Sequence, residues 1–450
     1  MKAYFLTVVN YMTEQHTLLC GVGRADITPP VGTVMYGYAP GRPSLSIGDN
    51  LTATAIKLQS EDCSVLMITC TICAISAELT ARLQEAAGKV AGVPTENVTI
   101  SATHTHSGPN TNYDSAWGNV DTQYIETILF PGILQAAEAA ASSLQPAKMG
   151  VATTESDVGM NRREIKESGA IALGQNPWGP KDPTMTVISF RGEDGTILAN
   201  MIHYCCHCTA AGKNNEITRD WAGVMTDMLE TETGAITGFY AGFEGDQGPN
   251  LPNGHTIGTY QLALQLGARA GVDAVQAFRS IKEWRDVPVR MLHGNVEIPV
   301  LPLPSREEAN KQLAELGSLE QLRANSLHIK VNEYLRWQNV LAEHDSGNPP
   351  KTHWIFPQAI VTLGPVAILP CPFEAFIEIA LRIRRGSPYQ YTLNLCNTGG
   401  AAAYLPTLNE IPRGGYEVRQ FLSSFRTTYD LPQNTDDYWV QQNLKILREE

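Results

Sequence analysis

Segments with strand character alternate with segments of helical periodicity along most of this chain, and this alternation limits the folds open to it. Apolar runs predict strands, and apolar residues spaced three and four apart predict helices. The predicted strands are residues 51–59, 64–74, 97–103, 148–155, 184–191, 197–204, 236–241, 287–300, 357–369 and 390–396. The predicted helices are residues 77–91, 122–144, 221–232, 256–281, 304–344, 373–385 and 433–449. The interleaving predicts an α/β (α+β) protein with mixed β-sheets flanked by helices.

Residues 304–344 differ in composition from the rest of the chain. They are rich in Glu, Ala, Leu, Gln and Lys, and Gly317-Ser318 interrupts them. This pattern predicts a helical hairpin inserted between strands. A solvated helix pair without a role in chemistry, a lid and an oligomer contact all remain open, and so does homo-oligomerisation.

The balance of charge excludes several classes of partner. The formal net charge is −13 and no basic stripe is present, so nucleic acid and anionic membranes are not expected partners. No apolar run reaches the roughly 18 residues of a transmembrane helix, and stable membrane association is not expected. The first residues lack the pattern of a secretory signal, and the nine cysteines are interpreted as reduced thiols. Together these features predict a cytoplasmic protein.

The pair His104 and His106 is the strongest chemical signal. The two histidines follow a predicted strand and precede a Gly-Pro turn. In an extended chain, residues two apart point to the same face, so both rings would face one site. Imidazole is the commonest metal ligand and titrates near physiological pH. The pair predicts half of a catalytic metal site; the alternative is two hydrogen-bonded histidines in a turn.

A second group of possible ligands lies at the end of the strand predicted for 197–204. His203, Cys205, Cys206, His207 and Cys208 are almost contiguous. Structural zinc sites use ligand pairs separated by short loops, whereas neighbours on a strand point to opposite faces. We therefore expect one or two ligands here among small buried cysteines. A cysteine site with His203 or His207 is the alternative.

Four carboxylates stand at predicted element ends or turns. Asp220 precedes a predicted helix and has the position of an N-cap. Glu374 starts another helix, as a partner of the helix dipole or as a metal ligand or base. The glycine-rich loop 242–250 allows close backbone approach to a ligand, or is simply a turn. If Glu374 is not a ligand, Glu244 or Asp246 is the next candidate.

The order of these motifs resembles the neutral (non-lysosomal) ceramidase family. The resemblance covers essentially the whole chain from about residue 20 and rests on residues 21–30 (GVGRADITPP), 35–39 (MYGYA), 103–109 (THTHSGP), 161–163 (NRR), 404–407 (YLPT) and 414–417 (GGYE). It implies a single ceramidase-like catalytic domain over residues 1–450. Residues 1–19 would be an N-terminal extension, and 304–344 the helical insertion.

The resemblance also implies a zinc ion and its ligands. His104 matches the first ligand of the family. His207, in His207-Cys208-Thr209, matches the second. Glu374 matches the carboxylate, and Tyr404 would complete the set. Zinc with three protein ligands and an open position activates water.

The resemblance further implies which groups assist the reaction. His106 would face the substrate near the metal and act as acid or base. Arg162 and Tyr404 would stabilise the oxyanion.

One residue expected near the substrate differs from the family motif. The resemblance places Arg163, Asp246 and Gly248 at the substrate. The family loop reads Gly-[Asp/Asn]-x-Ser-Pro-Asn, and its serine contributes to catalysis, whereas this chain has Gly248 there. Serine-assisted cleavage of ceramide is therefore not expected, and the glycine predicts a pocket of different shape.

These inferences predict a zinc-dependent hydrolase that cleaves a C–N amide bond of a soluble small molecule by metal-activated water. A zinc esterase or lactonase is an alternative, because zinc does not distinguish acyl leaving groups strongly. A metal-dependent lyase or isomerase, with His106 as base, is another. A non-catalytic binding protein that keeps the fold is the last.

Overall fold

Two mixed β-sheets pack face to face and carry helices on their outer surfaces, so the predicted fold class is confirmed. The computed structural model describes residues 17–61, 63–325, 328–424, 426 and 428–449. The proposed N-terminal extension lies almost entirely outside the described residues. Within them, no helix is both long and apolar enough to cross a membrane.

The strands are numbered along the chain. They are β1 (Leu19–Asp26), β2 (Val34–Met35), β3 (Arg42–Pro43), β4 (Ser46–Ile47), β5 (Thr52–Ser60), β6 (Cys63–Cys70), β7 (Val98–Ala102), β8 (Gln145–Glu155), β9 (Gly159–Asn161), β10 (Arg163–Ile165), β11 (Ile171–Leu173), β12 (Thr184–Gly192), β13 (Ile197–Tyr204), β14 (Glu216–Ile217), β15 (Ile236–Ala241), β16 (Gln247–Pro249), β17 (Val289–Pro299), β18 (His353–Leu363), β19 (Val366–Pro370), β20 (Glu374–Ala375), β21 (Tyr391–Leu395) and β22 (Tyr404–Leu405).

The α-helices are numbered in the same way. They are α1 (Ala77–Ala91), α2 (Thr122–Tyr124), α3 (Phe130–Ser142), α4 (Asp220–Thr233), α5 (Tyr260–Arg279), α6 (Arg306–Leu316), α7 (Leu319–Ala324), α8 (His328–Asp345), α9 (Ile377–Gly386), α10 (Tyr416–Leu422) and α11 (Thr435–Ile446). A π-helical turn, Ile125–Leu129, joins α2 to α3, and short 3-10 helices occupy Thr95–Asn97 and Leu408–Arg413.

The larger sheet has the strand order β15-β13-β12-β8-β1-β5-β6-β7, and the smaller one β17-β18-β19-β21. Most neighbours are antiparallel, but β6 and β7, β13 and β15, and β19 and β21 are parallel pairs. Parallel neighbours place their carboxyl ends at the same edge of a sheet. The candidate site forms at the edges where the carboxyl ends of these three parallel pairs lie.

The larger sheet is apolar on both faces because both faces are covered. In β6, Met67 packs into the core between the two sheets, whereas Leu66 and Ile68 pack against the layer of α1 and α3. In β13, Met201 and Ile202 divide in the same way, and Ile202 packs with residues of α4 and α5. Covered strands of this kind read as continuous apolar runs rather than alternating ones.

The positions of most elements agree with the sequence predictions, with instructive differences. The run 357–369 forms two strands, β18 and β19, because the chain turns at Gly364, where φ is 53°. The helix predicted for 373–385 begins at Ile377, and its first residues form β20 instead. The insertion 304–344 contains three helices, since Ser318 caps a separate α7. Strand β1, helix α10 and the short strands of two or three residues were not predicted as such.

Candidate metal centre

The candidate metal ligands lie just beyond the ends of three strands that belong to parallel pairs. His104 follows β7, His207 follows β13, and Glu374 lies in β20, soon after β19. Cys73 follows β6, the parallel neighbour of β7. Residues 104, 207 and 374 are far apart in the sequence, and the sheet edges bring them together.

The imidazoles of His104 and His207 both approach one carboxylate oxygen of Glu374. These three residues are called the donor cluster below. Oε2 of Glu374 lies 3.5 Å from Nε2 of His104 and 3.3 Å from Nε2 of His207. Each imidazole uses its other nitrogen on a carbonyl: Nδ1 of His104 donates to Cys73 O at 2.8 Å, and Nδ1 of His207 donates to Glu244 O at 2.7 Å. All three side chains are buried.

Two sets of possible ligand residues bring their donor atoms together, and within each set these atoms all lie within 4.8 Å of one another. One contains Cys73, His104 and His106, and the other His104, His207 and Glu244. Glu244, the alternative carboxylate of the sequence analysis, is therefore close to both imidazoles. The sequence reasoning did not identify Cys73 as a possible ligand, because the strand predicted for residues 64–74 included it, whereas β6 ends at Cys70.

The surroundings shift the pKa values of the two carboxylates, Glu244 and Glu374, in opposite directions. Burial raises the pKa of Glu244 well above its usual range, and the neighbouring Glu374 raises it further. Burial alone would also raise the pKa of Glu374, but His104, His207 and Arg426 outweigh it and hold this pKa well below the usual range. The two pKa values therefore move apart, and Glu374 is the carboxylate of the pair that favours the anionic form.

Burial disfavours protonation of the imidazoles of the site. It lowers the pKa of His207 to about 3 and also lowers the pKa of His104. For His106, burial and then the neighbouring His104 lower the pKa well below the usual range. Neutral imidazole is the form that binds metal ions.

His104 and His106 approach each other, but not through an extended chain as expected. Their Nε2 atoms are 3.2 Å apart, while His104 has the left-handed backbone φ of 67°. The main chain of His106 is held by Arg42, whose Nη2 donates to the His106 carbonyl at 2.7 Å. Gly37, at φ 109°, packs against the ring: a Cβ there would lie 2.5 Å from its Cγ. Residue 37 must be glycine for this ring to occupy its position.

Arg162 and Tyr404 form a second layer beside the donor cluster. Strands β20 and β22 pair Glu374 with Tyr404, which places the phenol next to the carboxylate. Nη2 of Arg162 donates to the Tyr404 hydroxyl at 3.0 Å, and Nε of Arg162 donates to Glu417 at 2.9 Å. Arg162 and Tyr404, two of the three predicted catalytic residues, therefore lie beside the donor cluster, and Tyr404 also lines the adjoining cavity. Their partner Glu417 belongs to the GGYE motif but was assigned no role from the sequence.

The three residues expected at the substrate have other partners. Arg163 donates to Glu410 and to Glu417, both at 2.9 Å. Asp246 is buried and accepts from the backbone N–H of Ile377 at 2.8 Å. Gly248 pairs with a residue of β9. None of the three is among the residues that line the cavity beside the donor cluster.

The cysteines near His207 pack as small apolar side chains. Cys205 lies in the core beneath the smaller sheet, whereas Cys206 and Cys208 lie in the core of α4 and α5. His203 is buried, and its Nε2 donates to Asn394 O at 3.2 Å. Among the residues that the structure describes, neither His203 nor these cysteines belong to a set of converging donor atoms.

A narrow cavity of about 40 Å³ opens beside the donor cluster and is called the cavity below. Its lining residues come from five separate parts of the chain: Tyr36, Gly37, Cys73, His104, His106, Trp117, Glu374, Ala403, Tyr404, Tyr416, Gln420, Ser424 and Arg426. Sequence reasoning did not single out Tyr36, Trp117 or Arg426, because no local pattern marks a residue that reaches a cavity from a distant loop.

The protein thus has a mixed α/β fold in which two imidazoles and a carboxylate gather at strand ends. Residues at this place could hold a metal ion. The family model of neutral/alkaline non-lysosomal ceramidases, N-terminal part, matches residues 18–261, which is more than half of the chain. The chain belongs to this family, as its motifs indicated.

Individual relatives are distant and longer. A neutral ceramidase of Pseudomonas aeruginosa is 24% identical over 368 residues, covering 69% of this chain and 53% of that protein. Neutral ceramidase A of Dictyostelium discoideum is 27% identical over 282 residues, covering 56% of this chain and 38% of that protein. This chain therefore spans about half the length, or less, of the curated relatives it matches.

Solved structures show the same fold. The crystal structure of the Pseudomonas aeruginosa neutral ceramidase superimposes with a TM-score of 0.72 at 19% identity, covering 96% of this chain and 74% of that one. A ceramidase complexed with C2 gives a TM-score of 0.71 at 19% identity, covering 96% and 75%.

Proposed function

We propose that this protein is a zinc-dependent hydrolase that cleaves the C–N amide bond of a small soluble molecule. The observation that carries the proposal is the convergence of His104, His207 and Glu374 beside a cavity. The ceramidases it resembles are named for ceramide, an amide of a lipid. We propose the same bond type but a smaller substrate.

The donor cluster fits a divalent cation. Because Nδ1 of His104 and Nδ1 of His207 donate to carbonyls, the Nε2 atom of each neutral ring carries a lone pair. Both lone pairs face the anionic Glu374 within 3.5 Å. Electron pairs facing an anion repel one another unless a proton or a metal ion lies between them. Two imidazoles and one carboxylate are a common ligand set of catalytic zinc, and carbonyls that fix the tautomer are its usual second layer.

In this proposal His104, His207 and Glu374 hold the zinc, with Tyr404 as a further ligand or hydrogen-bond donor. The ion would supply Lewis acidity and lower the pKa of water in the cavity. The chain's own residues bind the amide, orient it and move its protons.

His106 is the group best placed to move a proton. It lines the cavity, and its Nδ1 has no hydrogen-bond partner in the described part of the chain. A neutral imidazole accepts a proton at one nitrogen and can return it to the leaving amine. Its fixed main chain and the close contact with Gly37 hold the ring in one orientation.

Arg162 and Tyr404 would stabilise negative charge on the substrate oxygen. The guanidinium donates to the Tyr404 hydroxyl, so the phenol proton points away from Arg162, towards the Glu374 carboxylate with which Tyr404 interacts or towards a substrate oxygen beside it. In enzymes with an oxyanion hole, a preorganised donor of this kind lowers the activation free energy by about 3–4 kcal/mol.

Residue 248 offers no side-chain nucleophile. A Cβ at Gly248 would lie 2.7 Å from the side chain of Thr256 and 3.3 Å from that of Arg162, so a serine would require both to shift. This crowding supports direct attack by water over an acyl-enzyme on residue 248. The narrow cavity, with the polar side chains of Gln420, Ser424 and Arg426 in its lining, supports a small polar substrate.

Metal content tests the proposal. We expect about one zinc per chain by mass spectrometry, lost in His104→Ala, His207→Ala and Glu374→Ala. His255→Ala, a change of an exposed histidine, is the matched control and should retain the ion. No stoichiometric metal in the wild type after zinc is supplied would rule the proposal out.

His106→Ala separates metal binding from proton transfer. It should retain zinc and lose on the order of 10²-fold or more in turnover of N-acyl amides. Unchanged kinetics would remove His106 from the mechanism. Incorporation of ¹⁸O from labelled water into the product acid would distinguish hydrolysis from a lyase or isomerase reaction.

A further inference from the structure

The helical insertion, α6–α8, is attached to a loop that lines the cavity. Ala116 packs into the small core of the insertion with Leu322 and Val331. The backbone N–H of Ala116 donates to Oδ1 of Asn332, on α8, at 2.9 Å. The next residue, Trp117, lines the cavity. The insertion therefore fixes the loop that carries this indole.

A second attachment reaches the segment that follows another residue of the cavity lining. Arg336 of α8 donates to both carboxylate oxygens of Asp430, at 2.6 Å and 2.7 Å. The Arg336 side chain is only 7% exposed, so this bidentate pair is largely shielded from water. Asp430 lies four residues beyond Arg426, which lines the cavity.

A much larger cavity lies next to the first one. It measures about 550 Å³ and is lined in part by Arg323 and Val331 of the insertion. The segments 34–41 and 115–118 contribute residues to both cavities. These segments therefore run between the small cavity at the donor cluster and the larger space beside the helices.

We infer that the insertion is the specificity-determining element of this site: it holds the segment 115–118 as a partition, which keeps the cavity small and excludes amides with long chains. As a statement about substrates, this inference rests on the proposed function. Its structural content, that α8 sets the size of the cavity, does not. Asn332 and Arg336 are then positioning residues, because they act through Trp117 and through the chain near Arg426.

Access to Cys73 measures the opening of the cavity without zinc or turnover. Cys73 lines the cavity, whereas Cys20 and Cys70 are fully buried in the larger sheet. Alkylation by iodoacetamide and by the bulkier N-phenylmaleimide is followed at each cysteine by mass spectrometry, on the whole protein with and without zinc. The variants are Asn332→Ala, Arg336→Ala and the conservative Arg336→Lys.

We expect alkylation of Cys73 to become roughly tenfold faster in both alanine variants, with an intermediate rate in Arg336→Lys, while Cys20 and Cys70 stay protected. The gain should be larger for the bulkier reagent. The matched control is Arg306→Ala, which removes the exposed pair of Arg306 with Asp345 inside the insertion and should match the wild type.

Two results would overturn the inference. One is an unchanged rate at Cys73. The other is an equal rise at Cys73, Cys20 and Cys70, because the helices would then stabilise the whole fold rather than hold the partition. A selective rise at Cys73 in a protein that binds no zinc would uphold the role of the insertion while refuting the proposed function.

Discussion

At the scale of single residues, His104 shows how strongly the fold constrains this site. Its φ of 67° is a left-handed conformation that costs about 1–3 kcal/mol in a non-glycine residue. The backbone N–H donates to Ile72 O at 3.0 Å, and the ring donates to Cys73 O at 2.8 Å. Both partners lie just after β6, so one neighbouring segment fixes the backbone and the tautomer of the proposed ligand.

His203 should make stability depend on pH. Burial lowers the pKa of His203 to about 4, whereas the unfolded chain has about 6.5. Between these values the unfolded state binds the extra proton, so the free energy of unfolding falls as pH drops below about 6.5.

Between pH 7 and pH 5, we expect the free energy of unfolding to fall by roughly 2 kcal/mol less in His203→Gln than in the wild type. Urea unfolding at the two pH values measures the difference. Equal losses in both proteins would mean that His203 is not buried as a neutral ring.

At the scale of elements, glycines explain why β1 escaped prediction. A Cβ at Gly21 would lie 2.0 Å from Ala140 O, and one at Gly23 would lie 2.2 Å from Ala136 O. Helix α3 crosses β1 so closely that the strand needs glycine where a sheet usually carries apolar side chains. A rule based on apolar runs cannot detect such a strand, although β1 lies in the middle of the larger sheet.

The start of α4 supports the segment that follows His207. Asp220 has a backbone φ of 58° and begins the helix rather than preceding it as an N-cap. Its carboxylate accepts from the N–H groups of Trp221, Ala210 and Ala211 at 2.7–3.0 Å. One buried side chain thus joins the helix start to the chain just beyond a proposed ligand.

Asp220→Ala should lower the free energy of unfolding by about 2–4 kcal/mol, because three buried N–H groups lose a charged acceptor. Asp220→Asn keeps an acceptor and should cost less than half as much. Chemical unfolding of both variants beside the wild type measures this order. Equal losses would show that the backbone conformation, rather than the hydrogen bonds, dominates.

At the scale of the whole molecule, the donor cluster joins parts of the chain that no local contact connects. The larger sheet supplies the ends of β7 and β13, and the segment after β19 of the smaller sheet supplies Glu374. A cation held by all three would bind the folded state and not the unfolded chain. Such binding stabilises the fold by mass action.

Zinc should therefore raise the Tm of the wild type by several degrees relative to chelated protein, since about 4 kcal/mol is gained when free zinc exceeds the Kd a thousandfold. His104→Ala should show no such difference. Differential scanning calorimetry with zinc and with a chelator measures both. A Tm that does not respond to zinc in the wild type would contradict binding by the folded state.

Most of the longer elements, and candidate donor residues of the site, could be predicted from local patterns. Helix α1 occupies the predicted residues 77–91, since Ser76 caps its start and Gly92 ends it at φ 64°. His104, His207 and Glu374 each follow a predicted strand, and the structure brings these three together. Their assignment as zinc ligands rested on the family resemblance and stays a prediction.

The tertiary structure alone decided which side chains share the cavity. Trp117 and Arg426 reach it from loops that the insertion holds, and Arg163 and Asp246 are directed to partners elsewhere. The physical reason is the range of the interactions. Capping, periodicity and turn chemistry act over a few residues and are written in the sequence. The distances between side chains at the site depend on how two sheets and their helices pack, and contacts between residues hundreds of positions apart set that packing.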